Sequence, residues 1–282
     1  MALARHGAGP TSTARAYLVK VHPVFMLPPV AAAAFGAILA GALEPLAALV
    51  HVAAIFTAVY VAHLRDGYVD FYIRGEDDDS PLTPNGFRLG IAVTSILGAA
   101  SLLGLYLLVD VWAVALTLPG WLIGYLHAPH LDSHPITTTL GYPTGIALAI
   151  LGGQYVQVQL LTTEAIGLAV VFLILLSGVK IIDDLQDYDW DRAHHKRTAG
   201  VAWGYARAHR LAIGLLVSSM VALGAFATLG IVDPLHTLAI VVFAPIVYVA
   251  RRRSPRIQTM LLIRGSYLFL AVLIAVAWFE IP

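Results

Sequence analysis

The chain has 282 residues, of which 59% are hydrophobic and 12% charged, about half the charged share of an ordinary soluble domain. Its formal net charge is zero at pH 7, which gives no electrostatic basis for binding nucleic acid. There is no cysteine, so disulfides and thiol chemistry are excluded.

Nine apolar stretches follow one another along the chain, each close to the ~20 residues that a membrane-crossing helix needs. They are residues 22–43, 45–64, 87–109, 111–128, 136–159, 164–185, 207–229, 232–250 and 258–280. Several contain Pro or Gly, which membrane helices tolerate because neighbouring helices satisfy the freed backbone groups. The sequence therefore predicts an all-α polytopic membrane protein with nine transmembrane helices.

The positions of the basic residues predict how these helices are oriented. With the N-terminus inside, the inner segments are residues 1–21, 65–86, 129–135, 186–206 and 251–257. All 17 Lys and Arg residues lie in these segments or close to an inner helix end, and the outer connections contain none. We expect a multi-pass protein of the cell membrane with its N-terminus and polar loops on the cytoplasmic side and its C-terminus outside.

The acids of two inner loops repeat at a fixed distance. Asp66 precedes Asp183 by 117 residues, and Asp70 precedes Asp187 by the same distance. The first loop follows the second predicted helix, and the second loop follows the sixth. This pattern suggests two four-helix pseudo-repeats plus a ninth helix, facing one another across a central cavity. The predicted organisation is a cytoplasmic N-terminal segment (residues 1–21) followed by one transmembrane domain (residues 22–282). The two repeats within that domain cover about residues 22–128 and 136–250.

Both loops present Asp at positions i and i+4, which places the two side chains on one face of a helix. Carboxylate oxygens are hard ligands suited to Mg²⁺, which commonly bridges one or two carboxylates to phosphates. The triplet at Asp77 is better explained as a solvated turn, with Asp77 itself as the exception. The candidate metal ligands are Asp66, Asp70, Asp77, Asp183, Asp184, Asp187 and Asp191, and the candidate catalytic residues are Asp66, Asp70, Asp183, Asp187 and Asp191.

Basic residues beside these acids could bind phosphate oxygens. Lys196 and Arg197 follow the second acidic cluster, and Arg74 follows the first. Lys180 either neutralises Asp184, one helical turn later, or itself binds the phosphate group of a ligand. Three histidines lie between residues 125 and 135. We interpret this loop as a polar segment at the membrane interface rather than a zinc site, because such segments are commoner.

Two clusters of Mg²⁺ ligands on the same side could hold a diphosphate between them and neutralise it as it leaves. An apolar cavity above them would suit a prenyl tail and keep a carbocation from water. Aromatic faces could shield that cation. The candidate cavity residues are Tyr68, Tyr125, Tyr142, Gln154 and Tyr155.

The stretch from Asp183 to Thr198 resembles the second motif of the UbiA superfamily of intramembrane prenyltransferases. In the branch that prenylates 1,4-dihydroxy-2-naphthoate for menaquinone synthesis, this motif reads Asn-Asn-x-Arg-Asp-x-x-x-Asp and continues, four residues on, with Gly-Lys-Arg-Thr. The spacing matches without a gap, with Asp for both Asn, Gln for Arg, and His195 for Gly.

The first motif resembles the branch's Asn-Asp-x-x-Asp and Gly-x-Asp less closely. Asp66 falls on the Asn, Gly67 falls on the first Asp, and one residue is inserted before Gly75. Residues 152–157 are similar to a Gly-x-Tyr-Tyr-Val-Gln stretch of the same branch, so the resemblance extends over most of the chain.

The resemblance implies a Mg²⁺-dependent enzyme that transfers a prenyl group from an isoprenyl diphosphate to a lipophilic or aromatic acceptor in the bilayer, as in quinone or isoprenoid-lipid biosynthesis. Two alternatives remain open. The departures in the first motif allow a terpene cyclase, in which the substrate's own double bonds trap the cation. Membrane helices with repeated acids are also found in transporters and lipid-binding proteins.

Overall fold

The computed structural model describes residues 2–194 and 196–279, and this part of the chain contains helices and a single isolated β-bridge. The prediction of an all-α protein is confirmed. The α-helices are α1 Pro10–Val19, α2 Pro23–Leu39, α3 Pro45–Val69, α4 Pro84–Leu108, α5 Val111–Leu126, α6 Pro135–Val158, α7 Thr163–Gln186, α8 Tyr188–Ala193, α9 Ala199–Trp203, α10 Tyr205–Thr228, α11 Leu238–Ala250 and α12 Pro255–Phe279. A π-helical turn extends α3 over Asp70–Arg74 and α5 over His127–Leu131, and a 3₁₀ turn over Pro234–Thr237 precedes α11.

Local sequence explains where the helices begin. Six of them start at a proline, whose missing N–H is not needed in the first turn and whose φ already suits a helix. Other starts are capped by side chains: Thr83 accepts from Gly86 N at 3.1 Å, and Asp110 accepts from Trp112 N at 2.8 Å. The lengths of the apolar stretches therefore predicted the approximate positions of the long helices, and prolines and capping side chains set where these helices begin.

Within the described residues, six helices are long and apolar enough to cross a membrane, namely α3, α4, α5, α7, α10 and α12. The pair α1 and α2, bent by 72° at the break between them, would make a seventh span. Helix α6 carries several Thr and Gln residues, and α11 with its 3₁₀ turn is shorter than the others. The multi-pass architecture is confirmed, while the count of nine spans stays a prediction.

Helix α7 forms the centre of the bundle and is the most buried of the long helices. It packs against α6, α10 and α12, while α2 packs against α6. The α2–α6 contact is a close backbone approach: a side chain at Gly36 would strike the carbonyl of Ile150, and one at Gly153 would strike that of Ala33. Small residues permit this approach between membrane helices.

The N-terminal segment is also structured. Backbone bonds pair it with the loop before α4, from Arg5 N to Pro81 O at 2.9 Å and from Thr83 N to Leu3 O at 2.9 Å. Helix α1 then lies against α3 and α4, and the extended backbone of His22 before Pro23 turns the chain into α2. The fold thus brings the N-terminal segment to the same end of the bundle as the carboxyl ends of α3, α5 and α7.

Candidate functional site

The first acidic segment begins at the carboxyl end of α3. Asp66 and Asp70 lie one turn apart, the π-helical turn continues to Arg74, and Gly75 ends it with φ 67°, a conformation that favours glycine. Arg74 Nη1 contacts Asp70 Oδ1 at 3.4 Å and Glu76 Oε1 at 3.8 Å. Arg74 therefore balances the acids of its own segment.

The second acidic segment begins at the carboxyl end of α7. Lys180 Nζ donates to Asp184 Oδ1 at 2.5 Å and to Asp183 Oδ2 at 3.3 Å, so it neutralises two acids on the next turn. The sequence spacing suggested one continuous helix for Asp183, Asp187 and Asp191. The structure instead ends α7 at Gln186 and starts α8 at Tyr188, because Asp187 has non-helical dihedral angles and its N–H bonds to Asp184 O.

Ion pairs join these segments to each other and to a third inner segment. Lys196 Nζ lies 3.6 Å from Glu76 Oε1, which connects the second acidic segment to the first. Arg74 Nη1 donates to Asp132 Oδ2 at 2.5 Å, which connects the first segment to the loop before α6. Three loops that are distant in sequence therefore meet at one end of the bundle.

Acids outnumber bases in this cluster, and several carboxylate oxygens have no hydrogen-bond partner within the described residues. These oxygens are Glu76 Oε1, Asp132 Oδ1 and Asp184 Oδ2. Glu76 Oε1 still has its ion pairs with Arg74 and Lys196, whereas the other two oxygens are hard donors of the kind that suits a divalent cation such as Mg²⁺. In residues 2–194 and 196–279, no three His, Asp or Glu side chains already converge as a metal cage. A metal that uses one or two carboxylates together with phosphate oxygens does not require such a cage.

Burial changes the electrostatics of the acids in the loops. Desolvation raises the pKa of Glu76 and of Asp191, and Lys196 opposes the shift in both. Desolvation also raises the pKa of Asp187, reinforced by the neighbouring charge of Asp183. The ionised forms of these acids are therefore destabilised in the protein without a ligand, and a cation bound among them would stabilise the ionised forms.

Some predicted site residues lie elsewhere or are more exposed than their neighbours. Asp77 is exposed, whereas Glu76, which the sequence did not single out, faces Lys196 and Arg74. Arg197 is also exposed, and His195 lies outside the described residues. The Gly-x-Asp pattern of the sequence predicted Asp77 as a site residue. Glu76 is recognised as part of the acidic cluster only through its ion pair with Lys196, which the sequence does not show.

The predicted cavity residues separate into three places. Tyr68 and Tyr125 line a cavity of about 510 Å³ between α3, α4 and α5. Tyr142 has Asp183 and Tyr267 among its electrostatic neighbours, which places it beside the second acidic segment. Gln154 and Tyr155 lie at the opposite end of α7, where Gln154 bonds to Thr162 and Tyr155 to Asp110.

Those last two residues are far from the acids. Thr162 caps the start of α7 and Asp183 lies near its carboxyl end, which at 1.5 Å per residue places them about 30 Å apart. The sequence similarity at residues 152–157 therefore marks the close packing of α6 and the far end of the bundle, away from the acidic segments.

Comparison with known proteins gives a family and a fold. The model of the UbiA prenyltransferase family matches residues 82–273, which is more than half of the chain. A comparison with curated protein sequences gives no significant match.

Three solved structures illustrate the similarity in fold. Digeranylgeranylglyceryl phosphate synthase aligns with a TM-score of 0.74 at 15% identity, covering 94% of this chain and 99% of that one. A UbiA homolog from Aeropyrum pernix K1 gives 0.71 at 15% identity, covering 91% and 98%. A UbiA homolog from Archaeoglobus fulgidus, bound to GPP and Mg²⁺, gives 0.65 at 16% identity, covering 94% and 99%. At these identities the similarity establishes the fold.

Proposed function

This chain belongs to the UbiA prenyltransferase family, and from that premise we propose that it transfers a prenyl group from an isoprenyl diphosphate to a lipophilic or aromatic acceptor within the membrane. The observation that carries the proposal is the meeting of the two acidic segments across the contact between Glu76 and Lys196. Solved structures of an Archaeoglobus fulgidus homolog with GPP and Mg²⁺, and with DMAPP and Mg²⁺, support the same donor class.

The acids of both segments would hold Mg²⁺, which when bound neutralises charge on the departing diphosphate. The proposed ligands are Asp66, Asp70 and Asp77 of the first segment and Asp183, Asp184, Asp187 and Asp191 of the second. Their donor chemistry fits this ion, since all are carboxylates, and Asp184 Oδ2 is buried without a hydrogen-bond partner among the described residues.

The bases would exchange their protein acids for phosphate oxygens. Lys196 and Arg74 each already lie within 4 Å of Glu76, so a diphosphate between the segments could replace that carboxylate as their partner. Arg197 and Lys180 are further candidates, although Lys180 is already engaged by Asp183 and Asp184. The basic residues would therefore bind and orient the leaving group.

The helix bundle would protect the cation formed when the prenyl–oxygen bond breaks. The inner half of α7 packs in a continuous apolar core that includes Leu175, Val179 and Ile182, which excludes water from the region beside the acids. Tyr142, beside Asp183, is placed to offer an aromatic face. Gln154 and Tyr155 take no part in this proposal, because they lie at the other end of the bundle.

The finer proposal concerns the acceptor and the arrangement in the membrane. The gapless second motif favours an aromatic acceptor of the 1,4-dihydroxy-2-naphthoate type, with a role in quinone biosynthesis. The positive-inside pattern favours nine spans in a single domain over residues 22–282, with the acidic segments at the cytoplasmic face of the cell membrane.

The test is an assay of purified protein in lipid nanodiscs with geranylgeranyl diphosphate, Mg²⁺ and one acceptor at a time. The acceptors are 1,4-dihydroxy-2-naphthoate and geranylgeranylglyceryl phosphate, and product is identified by mass spectrometry. We expect prenylated naphthoate, and we expect its formation to stop with EDTA and return with Mg²⁺. Prenylated glycerolipid alone would overturn the aromatic acceptor and keep the prenyl transfer.

The departure at Gly67 favours examining a terpene cyclase as the second candidate. The discriminating reaction omits the acceptor. A cyclic hydrocarbon released from geranylgeranyl diphosphate and Mg²⁺ would replace transfer with cyclisation. Absence of both products, together with absence of Mg²⁺-dependent diphosphate binding, would contradict an enzyme and favour a transporter or lipid-binding protein. The gathering of the acids at one end of the bundle, away from its middle, argues against transport.

A further inference from the structure

Lys20, in the break between α1 and α2, is a buried cation without an acidic partner among the described residues. Only 8% of its surface is exposed, and its ammonium forms neither a hydrogen bond nor an ion pair with the described part of the chain. Its Nζ lies 5.6 Å from the centre of the Phe87 ring. The residue is largely buried, its charge has no compensating anion within the described residues, and its Nζ is not among the fully enclosed nitrogens, so an anion could still approach it.

The scaffold holds Lys20 in a defined position. Tyr17, one turn earlier on α1, donates its hydroxyl to Gly86 O at 2.7 Å, and Tyr60 of α3 donates to Tyr17 O at 2.9 Å. These bonds fasten the end of α1 to α3 and α4. Side chains that are fixed by such contacts provide the preorganised groups on which binding sites depend.

The Lys20 ammonium lies against α3 at Gly67, the residue that follows Asp66. A Cβ at Gly67 would collide with Lys20 Nζ and lie 3.0 Å from its Cε. The ammonium therefore fills the space of a side chain on the same helical turn that carries Asp66 and Asp70. Gly67 is the position where the first motif of the sequence lacks its expected acid, so a positive charge stands where a negative one was anticipated.

We propose that Lys20 binds the diphosphate of the prenyl donor and that Gly67 provides the clearance its ammonium needs. The inference rests on the proposed function, since it assigns a binding residue to the same site. An ammonium offers three donors and acts as a compact positive charge toward phosphate oxygens. Lys20 would approach the diphosphate from α1, while Lys196 approaches it from the second acidic segment.

The experiment measures binding of inorganic diphosphate with Mg²⁺ by calorimetry in detergent. We expect Lys20→Met to weaken binding about tenfold or more, which corresponds to loss of a charge-assisted contact. The control is Arg15→Met, an exposed base on α1, which should change affinity by less than about twofold. The melting temperature of the ligand-free Lys20→Met protein should equal or exceed that of the wild type, because a buried unpaired charge has been removed.

A second variant tests the link to Gly67. Gly67→Ala should preserve the fold, since the clash involves the end of a flexible side chain, and should weaken diphosphate binding in the wild-type background. It should have little further effect in the Lys20→Met background. Equal effects in both backgrounds would overturn the proposed clearance.

The outcomes separate this inference from the proposed function. If Lys20→Met binds diphosphate as the wild type does while Asp187→Asn abolishes binding, Lys20 is not a diphosphate ligand and the proposed function stands. If the wild-type protein shows no Mg²⁺-dependent diphosphate binding, both proposals fail.

Discussion

The two ends of the helix bundle use the same kinds of side chain in opposite ways. At the end remote from the acidic segments, which we label the outer end, Asp110 caps α5 and accepts from Tyr155 at 2.8 Å, and Gln154 exchanges two hydrogen bonds with Thr162 at 2.7 and 2.9 Å. At the end that carries the acidic segments, which we label the inner end, Asp184 keeps one carboxylate oxygen without a hydrogen-bond partner among the described residues, even though Lys180 binds the other.

The pKa directions reflect the same contrast. Desolvation tends to raise the pKa of Asp110, but hydrogen bonds from Ala113 N and the Tyr155 hydroxyl outweigh it and lower the pKa. Burial raises the pKa of Asp187 and Asp191, despite the nearby lysines. The outer acid is stabilised in its ionised form by its neighbours, whereas the ionised inner acids are destabilised by burial. This is the difference expected between an acid that stabilises the fold and acids that bind a cation, as we propose for the inner end.

The largest effect should come from removing an inner carboxylate. Asp187→Asn removes a proposed Mg²⁺ ligand, so we expect prenyl transfer to fall about 100-fold or more, because even outer-sphere changes at metal sites cost 10–100-fold. The melting temperature should not fall. The measurement is product formation at saturating donor, beside Asp78→Asn, which changes an exposed acid of the other acidic loop and should retain activity. Comparable losses in both variants would contradict a specific site.

Removing the bridging base should have a smaller effect. Lys196→Gln abolishes the ion pair with Glu76 and one proposed phosphate contact, so we expect kcat/KM for the donor to fall roughly 10- to 100-fold, the range of a charge-assisted hydrogen bond. Arg192→Gln, an exposed base of the neighbouring helix α8, is the matched control. If both variants behave alike, Lys196 contributes only to the general charge of the loop.

The pH dependence of stability should also distinguish the two ends. Because the pKa of Asp187 is raised by folding, its ionisation opposes the fold above that pKa, and this penalty disappears as pH falls toward the ordinary Asp value of ~3.9. The Asp187→Asn protein should therefore melt above the wild type at neutral pH, and the gap should narrow on acidification. Thermal unfolding of the ligand-free proteins in detergent measures this gap, and a gap that widens toward acid pH would mean that the carboxylate stabilises the fold.

The sequence predicts those features of the two ends that depend on local properties, and it does not predict those that depend on contacts between distant residues. Apolar length predicted the positions of the long helices, and the Asp spacing identified the second acidic segment, because these are local properties. The role of Glu76 follows from contacts with Arg74 and Lys196, and the latter is distant in sequence. The family model begins at residue 82, after the first acidic segment, so that segment is covered only by the looser motif.

The misplaced cavity residues have the same explanation. The similarity at residues 152–157 concerns residue types only, and a helix of this length extends from one end of the bundle to the other. Residues 152–157 lie near the carboxyl end of α6, and the acids lie at the carboxyl end of α7, the next helix. Because the chain crosses the bundle between these two points, they lie at opposite ends of it. Small residues such as Gly153 were needed there for close packing against α2.

The smallest effect on activity, and a clear one on stability, should come from the outer end. Gln154 is fully buried and both ends of its amide bond to Thr162, so Gln154→Leu leaves the Thr162 N–H without its partner, while the Thr162 hydroxyl still accepts from Ala165 N. We expect the free energy of unfolding to fall by about 1–3 kcal/mol, the cost of an unsatisfied buried polar group. Activity per folded molecule and the KM for the donor should stay unchanged, because the acids lie about 30 Å away along α7. Denaturant unfolding in mild detergent and steady-state kinetics on the same sample give both quantities. A changed donor KM with unaltered stability would place Gln154 in the substrate cavity and remove the division between a stabilising end and a binding end.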